Sequence, residues 1–480
     1  MADAPTVPTR RFARRSRAGV LFGLSWAGMV CVAIAAVLVF LVVTGHAPGQ
    51  TTVVAVLVAA GAVPVSGRAL VSWIPIFGGY LWRTAARQTR YLARVDQPRP
   101  VGNLSLPGDA ARLRVVIAPD SETALVHDPH LRRLTAVLRV THKGAVLADA
   151  TDKVEMDRGW SAALGGLARF DSSICRVQTI ERTLPGGSSL ANHFTHVASP
   201  QVPSTSRVRA AYESLLAGKT GQLEHESLIS ITLDMAKAAV QIREMGGGLA
   251  GGSQLLGESM HTLAGSLPQA GLSPDRWLGQ AELALLVRSV YDPEQVPRLQ
   301  AATVGRQLHR AGPMGVVEHF THVETDSAFH RVYQVTEWPR RPVGPMALWP
   351  LIVTSGVSRS ISQIYRPVPL RGSRRSAESA VVEAQRQLHR NHKRRGFTDP
   401  QDDVEVQDAN RRLEALTLGG REYDFLGLVT VTAPTLKALT ESCRKVQEAA
   451  SAAEVEVRVL AGQQAQHLVT GALPFTRGFE

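Results

Sequence analysis

The sequence predicts an α+β protein in which an N-terminal two-helix transmembrane hairpin precedes cytoplasmic ferredoxin-like β-α-β units. Three observations lead to this fold class: two uncharged apolar runs, arginine clusters on both sides of them, and strand–helix–strand patterns in the remaining chain. The chain has 480 residues, of which 3 are cysteine. This cysteine content supplies no disulfide framework and fits a reducing compartment.

The two apolar runs cover residues 18–45 and 51–67. About 20 apolar residues cross a bilayer core, so the first run is long enough and the second is near the lower limit. In the following segment, 69–82, aromatic residues typical of the headgroup level suggest an interfacial position, and whether the segment enters the membrane stays open. These residues are Trp73, Phe77, Tyr80 and Trp82. A cleaved signal peptide and a buried core are the alternatives, and the lengths of the runs disfavour both.

Arginine clusters set the expected topology. Because positively charged residues near membrane spans stay on the cytoplasmic side, the flanks predict a multi-pass protein of the inner cell membrane. Both termini and the bulk of the chain would then be cytoplasmic. The arginines that set this topology are Arg10, Arg11, Arg14, Arg15 and Arg17 before the hairpin and Arg68, Arg83 and Arg87 after it.

The formal net charge of +12 comes in part from this arginine collar. It makes anionic lipid headgroups the first partner to consider and nucleic acid the second. The basic run 389–395 is a candidate contact for an anionic partner through Arg390, Lys393, Arg394 and Arg395. A solvated helix end explains the run at least as well, because no aromatic residues interleave with it.

The chain divides into six expected segments. They are a basic cytoplasmic N-terminus (1–17), the transmembrane hairpin with its interfacial segment (18–82), a linker (83–110), a first α/β unit (111–220), a second α/β unit with a helical insertion (221–370), and a helical segment with a C-terminal β-α-β unit (371–480). Alternating residues predict strands at 227–234 and 425–433. Ser273 as N-cap, with Pro274 and Asp275 in the first turn, predicts a helix over 274–290.

Several short motifs invite a chemical interpretation and fail on spacing or context. AGKT at 217–220 lacks the first P-loop glycine, because Glu213 stands in its place. GGGLAG at 246–251 follows a helical segment, so a flexible linker explains it better than dinucleotide binding. HFTH occurs at His193–His196 and His319–His322. The second copy is expected on a strand, where its two histidines would point to opposite faces. The sequence therefore predicts no catalytic residue, no cofactor and no metal.

An ordered set of motifs carries a resemblance. The set comprises the first strand–helix–strand unit (132–182), SLISITLD (227–234), AELALLVRSVYDP (281–293), VYQVTEWPR (332–340) and VTVTAP, VRVLAGQQ and GALP (within 429–474). Together with the hairpin, it resembles actinobacterial integral membrane proteins of type IV secretion-like or conjugation-like loci. The hairpin is similar to PrgI-type two-helix subunits, and the rest resembles the N-terminal domain of conjugative motor ATPases.

The resemblance implies a non-catalytic inner-membrane scaffold or adaptor, because the motors' ATP-binding domain has no counterpart before Glu480. It also implies a separately encoded motor ATPase and other membrane subunits as partners within an oligomeric complex. A type VII secretion membrane component of the E family and a membrane-tethered enzyme are the alternatives. The transported substrate, the stoichiometry and direct nucleic-acid contact stay open.

Overall fold

The computed structural model describes most of the chain. The described residues are 26–46, 48–65, 68–94, 101–119, 121–142, 148–168, 172–185, 205–217, 223–296, 307–339, 347–395 and 400–479, together with 144, 203 and 343.

The α-helices are α1 (Trp26–Val43), α2 (Thr51–Ala60), α3 (Trp73–Ala85), α4 (Ala150–Leu167), α5 (Arg207–Ala217), α6 (Ala239–Glu244), α7 (Gly248–Ser266), α8 (Gln280–Tyr291), α9 (Trp349–Ile352), α10 (Leu370–Arg395), α11 (Pro400–Thr417), α12 (Leu436–Ala452) and α13 (Gln464–Ala472). The strands are β1 (Pro64–Val65), β2 (Arg68–Ala69), β3 (Arg90–Leu92), β4 (Arg114–Ile117), β5 (Ala124–Asp128), β6 (Arg133–His142), β7 (Ile174–Pro185), β8 (Leu223–Asp234), β9 (Leu272–Trp277), β10 (Gly315–Glu318), β11 (Val323–Glu324), β12 (Phe329–Glu337), β13 (Ser358–Pro367), β14 (Tyr423–Ala433) and β15 (Glu456–Val459).

Apart from the small β1–β2 ribbon, the described strands form one antiparallel sheet of 13 strands. Its order is β3-β10-β11-β12-β14-β13-β7-β8-β6-β5-β4, with β15 on the free edge of β12 and β9 on the free edge of β6. The sheet is covered on both faces, so its central strands bury both sets of alternating side chains. In β8, for example, Leu228 faces one layer of helices, whereas Ile229 and Ile231 face the other.

We call residues 114–291 the first unit. After the β4–β5 hairpin, its elements follow in the order β6, α4, β7, α5, β8, α6–α7 and β9, with α5 as an insertion, and its strands lie in the order β9-β6-β8-β7. This is the ferredoxin-like β-α-β-β-α-β arrangement. Helices α4 and α7 pack on one face through Leu167, Leu256 and Leu263. Helix α8, which follows β9, packs on the opposite face through Leu283 and Val287.

We call residues 315–472 the second unit, and it repeats this plan. After the β10–β11 hairpin come β12, α9, β13, β14, α12 and β15, with strand order β15-β12-β14-β13 and α13 on the opposite face. Two differences stand out. The first crossover helix, α9, has only four residues, and the helical pair α10 and α11 lies between β13 and β14, where the first unit has α5 between β7 and β8.

A pseudo-two-fold relation connects the units. Strands β7 and β13 pair antiparallel, and Ile180 lies opposite its own equivalent, Ser362. Matching backbone hydrogen bonds support the relation: the Leu278 amide donates to Val137 at 2.9 Å, and the Leu460 amide donates to Val332 at 3.1 Å. The sheet is therefore two copies of one unit joined through their second strands.

The predicted fold class was wrong about the membrane. None of the helices in the described residues combines the length and apolar character needed to cross a bilayer. Helix α2 spans 10 residues, or about 15 Å against a bilayer core of about 30 Å, and ends at Gly61 before the β1–β2 ribbon. The described part of the first run begins at Trp26, and residues 18–25 lie outside the described residues. The predictions of a transmembrane hairpin and of a multi-pass inner-membrane protein with cytoplasmic termini were therefore wrong.

Two local predictions were also wrong. Residues 272–277 form strand β9 on the edge of β6, and the following helix begins only at Gln280. The glycine tract is not a linker, because Gly248 begins helix α7. At Gly251 a Cβ atom would lie 2.4 Å from the Ile242 carbonyl oxygen, so glycine allows α6 and α7 to pack closely.

Candidate interaction surface

Helix α3 attaches the N-terminal helices to the second unit through an aromatic cluster. Three rings of this segment surround Phe320, which lies in the turn between β10 and β11: Trp73 at a centroid distance of 6.5 Å, Phe77 at 5.8 Å and Tyr80 at 5.3 Å. The Phe77 and Tyr80 contacts are edge-to-face, the favourable geometry for aromatic pairs. The aromatic residues predicted to form a headgroup belt thus form an intramolecular contact, while Trp82 is 73% exposed.

An ion pair lies beside the aromatic cluster. Arg83 Nη1 donates to Glu318 Oε2 at 2.8 Å, and Arg83 Nη2 donates to the Gly462 carbonyl. Glu318 Oε1 also accepts from the backbone amide of Ala465 at 3.2 Å, in the first turn of α13. A carboxylate at this position satisfies a free helix amide and opposes the positive end of the helix dipole. One buried side chain therefore links α3, β10 and α13.

The arginines predicted to set a membrane topology have other positions. Arg83 makes the ion pair just described, and Arg87 lies in the turn after α3 with a φ of 56°. Arg68 belongs to strand β2, although its side chain lies outside the described part. Arg10, Arg11, Arg14, Arg15 and Arg17 lie outside the described residues.

The outer faces of α1 and α2 form what we call the apolar surface. The two helices pack on one another through small residues such as Cys31, Ala35 and Ala55, which are buried. Their large apolar side chains point outward instead. The most exposed are Phe40 at 65%, Val43 at 80%, Val56 at 68% and Leu57 at 68%. Contiguous exposed apolar side chains of this kind mark interaction sites.

The predicted anionic contact lies at the far end of α10. Arg390 pairs with Glu383 at 2.6 Å and is 65% exposed, and Lys393 is exposed. The side chains of Arg394 and Arg395 lie outside the described part, although both residues belong to the helix. Asn391 donates to Asp402 at 3.0 Å and ties this end of α10 to α11.

A buried polar seam follows the pseudo-two-fold axis beneath α8 and α13. Gln178 Nε2 donates to the carbonyl oxygens of Thr470 at 3.0 Å and Leu473 at 3.2 Å, and Gln178 Oε1 accepts from the Thr476 amide. Thr476 has a φ of 52°, a left-handed conformation that is strained for a β-branched residue and costs about 1–3 kcal/mol. Gln178 of the first unit therefore holds the segment that follows the second.

Arg182 is the charged member of the seam. Its side chain is fully buried, one nitrogen donates to Ser289 Oγ, and Nη1 lies 3.5 Å from Glu226 Oε2. Burial lowers its pKa, and Glu226 opposes that shift. Within the described residues, Nε and Nη1 of Arg182 and the hydroxyls of Ser230 and Thr430 have no hydrogen-bond partner. The seam is thus incompletely satisfied, which costs stability.

A cavity of about 120 Å³ lies between α13 and the sheet. Its polar lining includes Gln334, His467 and Arg477, and Phe479 helps to close it. His467 Nδ1 donates to the Gln463 carbonyl at 2.7 Å, and burial lowers the pKa of His467. Ligand pockets are typically about 300–1,000 Å³, so this cavity suits ordered water or a very small molecule.

The second HFTH motif was wrongly expected on a strand. His319 and His322 lie in the β10–β11 turn, where the His319 amide donates to the His322 carbonyl at 2.8 Å. Their rings stack at 4.4 Å. Among the residues described, no group of three His, Cys, Asp or Glu side chains is placed to hold a metal ion. The first HFTH motif (193–196) and residues 218–220 of AGKT lie outside the described residues.

Sequence reasoning missed the most connected residues of this region. Phe320 lies inside the HFTH motif, where only the histidines were considered, Glu318 and Arg182 were not singled out, and the partners of all three are far away in the chain. One signal was available, because Glu318 ends the apolar strand GVVE and a charged residue there calls for a partner. No protein-family model matches this sequence, and comparison with curated proteins gives no match.

Proposed function

We propose that the chain is a non-catalytic adaptor of a type IV secretion-like or conjugative apparatus that docks a separately encoded motor ATPase. The observation that carries this proposal is the apolar surface of α1 and α2. Four large side chains of these two helices are at least 65% exposed. Burying such side chains against a partner contributes about 25 cal/mol per Å² of apolar area.

The attachment of α3 supports a docking role. The aromatic cluster around Phe320 and the Arg83–Glu318 ion pair fix the base of the N-terminal helices on the second unit. A surface held in place before it binds loses less conformational freedom on association. The partner then meets a preorganised surface, as expected of an adaptor.

The choice of partner rests on the sequence motifs. SLISITLD and VYQVTEWPR resemble the N-terminal domain of conjugative motor ATPases, and the structure has these segments in β8 and β12. A chain that shares this domain is suited to sit beside such a motor in the same assembly. The resemblance thus names the partner, and the apolar surface supplies the means of contact.

Co-purification from cells tests the proposal. A tagged full-length chain is compared with a variant in which Phe40, Val56 and Leu57 are replaced by serine. These side chains are exposed, so the substitutions leave the body of the fold intact. We expect the wild-type chain to recover a secretion-type motor ATPase, identified by mass spectrometry, and the variant to recover at least tenfold less.

Three apolar residues elsewhere give the matched control. Val208, Val240 and Leu418 are 78%, 63% and 81% exposed and lie outside α1 and α2. Replacing these by serine should leave ATPase recovery unchanged. If wild-type chains recover only further copies of themselves, bind only detergent or lipid, or bring down no motor ATPase, the proposed function is wrong.

A further inference from the structure

A second surface, on the α10–α11 pair, has the opposite chemistry to the apolar surface. Helix α10 has 26 residues, about 39 Å, and packs along α11. Its less exposed residues recur at the spacing of a two-helix seam, at positions 373, 377, 380, 381, 384, 388 and 391. This pattern directs one face of α10 toward α11 and leaves the other unpartnered.

Basic residues gather on the face of α10 opposite the seam. At about 100° per residue, Arg375, Arg386, His389, Arg390 and Lys393 fall within about 100° of arc. All five are exposed. Between them the same face carries only Ser379 and Val382. We call these seven residues the basic stripe.

Carboxylates do not neutralise most of the stripe. Helix α10 contains two acidic residues, Glu378 and Glu383. Glu378 pairs at 3.2 Å with Arg374, which lies outside the stripe, and Glu383 pairs at 2.6 Å with Arg390 at its edge. Three charges, on Arg375, Arg386 and Lys393, remain directed at solvent along one line.

We propose that the basic stripe binds the phosphate backbone of nucleic acid without reading its sequence. From Arg375 to Lys393 the stripe extends about 27 Å, which matches about 8 base pairs of duplex at 3.4 Å per base pair. The line formed by Arg375, Arg386 and Lys393, which pair with neither carboxylate of α10, fits a linear polyanion. The stripe has no aromatic side chain to stack on bases, so its contacts are electrostatic.

The composition of the stripe favours nucleic acid over a lipid surface. Helices that lie in a membrane interface carry several large apolar or aromatic residues beside their basic ones. Here Val382 is the one large apolar residue of the stripe. The inference stands apart from the adaptor proposal, because it concerns a different surface and its test contains no ATPase.

Fluorescence anisotropy with a labelled 20-base-pair DNA duplex tests the inference over a range of salt concentrations. Three unpaired phosphate contacts give a slope of log K against log salt of about −2.7. Replacing Arg375, Arg386 and Lys393 by glutamine should weaken binding at least tenfold at low salt and bring the slope close to zero. Two duplexes of unrelated sequence should bind equally well to the wild-type chain.

The control variant replaces Lys437, Arg444 and Lys445 of α12 by glutamine. It removes the same number of charges from another helix, where Glu448 and Glu441 already pair with Arg444 and Lys445. We expect its affinity and slope to match the wild type. The inference is overturned if the wild-type chain does not bind DNA or if both variants lose affinity equally. It is also overturned if the stripe variant loses binding only to phosphatidylglycerol vesicles.

Circular dichroism melting curves of both variants show whether each is folded. The substituted residues of the stripe are exposed, so its melting curve should match that of the wild type. If the stripe variant melts early, single replacements of Arg386 and Lys393 repeat the binding measurement. Each should reduce the slope by about 0.9, and a slope unchanged by either replacement would overturn the inference.

Discussion

The two units share one plan, but both projecting pairs of helices attach to the second unit. Helix α3 docks on the β10–β11 turn, and the α10–α11 pair enters between β13 and β14. The first unit has full crossover helices, α4 and α7, and at the position equivalent to the α10–α11 pair the described residues form the single helix α5, between β7 and β8. The first unit thus keeps the complete fold, and the second unit carries both candidate surfaces.

Equivalent positions show the chemistry of this separation. The strand registers align Thr135 with His330. Each is paired with a valine of the preceding hairpin strand, β5 or β11, and with a threonine of β8 or β14. Val115 aligns with Glu318 by the same comparison. The second unit thus has a titratable residue at two positions where the first has neutral ones.

Near the pseudo-two-fold axis the charged residue belongs to the first unit and the neutral one to the second. Arg182 of β7 aligns with Ile364 of β13, and both are fully buried. The hydroxyls of Ser230 and Thr430, which also align, both lack a hydrogen-bond partner within the described residues. The shared backbone thus tolerates polar and apolar residues at the same depth, at a cost that substitution can measure.

Replacing Glu318 by valine, the residue at the equivalent position 115 of the first unit, should have the largest effect on the free energy of unfolding. Glu318→Val removes the partner of Arg83 and the acceptor of the Ala465 amide. Breaking a buried ion pair costs about 3–5 kcal/mol, and Arg83 is 30% exposed, so we expect a loss near the lower limit, about 3 kcal/mol. Urea denaturation measures it. Glu318→Gln, which keeps an acceptor for the amide, should lose less, and equal losses would show that the charge is irrelevant.

His330 should make the second unit sensitive to acid. Its ring lies 2.9 Å from both Thr325 Oγ1 and Thr432 Oγ1, and burial lowers its pKa from 6.5 to about 3. Between these values the unfolded chain binds a proton that the folded chain does not, so stability falls as pH drops below 6.5. The expected loss is about 1.4 kcal/mol per pH unit, or about 2 kcal/mol between pH 6.5 and 5.

The test is to give this position the threonine of the first unit. His330→Thr should flatten the pH dependence of the free energy of unfolding between pH 6.5 and 5, whatever its stability at pH 7. His467→Gln is the matched control. Burial lowers the pKa of His467 too, but this histidine is only partly buried. It should change the slope much less. An unaltered acid slope in His330→Thr would assign the sensitivity to other groups.

Individual strands could be predicted from the sequence, but the repetition of one unit could not. Alternating residues in SLISITLD and FLGLVTVTA predicted β8 and β14, because alternation with β-branched residues is typical of strands. Strand β9 was predicted as a helix, because Ser273, Pro274 and Asp275 match a helix start. Pairing with β6, a long-range interaction, overrides that local preference.

The candidate surfaces were predictable to different degrees. The basic run at the end of α10 was visible in the sequence because its charges are adjacent in the chain, whereas the stripe that extends back to Arg375 was not predicted. The contact of Phe320 with α3 was not visible, because it joins residues about 240 positions apart. An uncharged run likewise indicates apolar residues but not what those residues pack against. The N-terminal helices were therefore wrongly predicted to cross a membrane.

Replacing Arg182 should have the smallest effect on the free energy of unfolding, and it should stabilise the chain. Arg182→Met supplies the apolar character of Ile364 with a side-chain length closer to that of arginine. Glu226 keeps Arg139 as a partner at 2.7 Å, and Ser289 still donates to the Leu286 carbonyl, so neither is left unpaired. Replacing a buried charge with incomplete hydrogen bonding by an apolar side chain is often stabilising, and we expect a gain of about 1 kcal/mol.

Arg359 is the matched control for this gain. It is as deeply buried as Arg182, but its guanidinium donates to the backbone carbonyls of Leu351 at 3.0 Å, Thr354 at 2.6 Å and Val357 at 2.9 Å. Arg359→Met leaves these carbonyls without their donor and should destabilise the chain by about 3 kcal/mol. Urea denaturation of the two variants should therefore give shifts of opposite sign. Equal losses in both would mean that the Arg182 guanidinium is fully satisfied, and that the first unit does not lose stability by burying it.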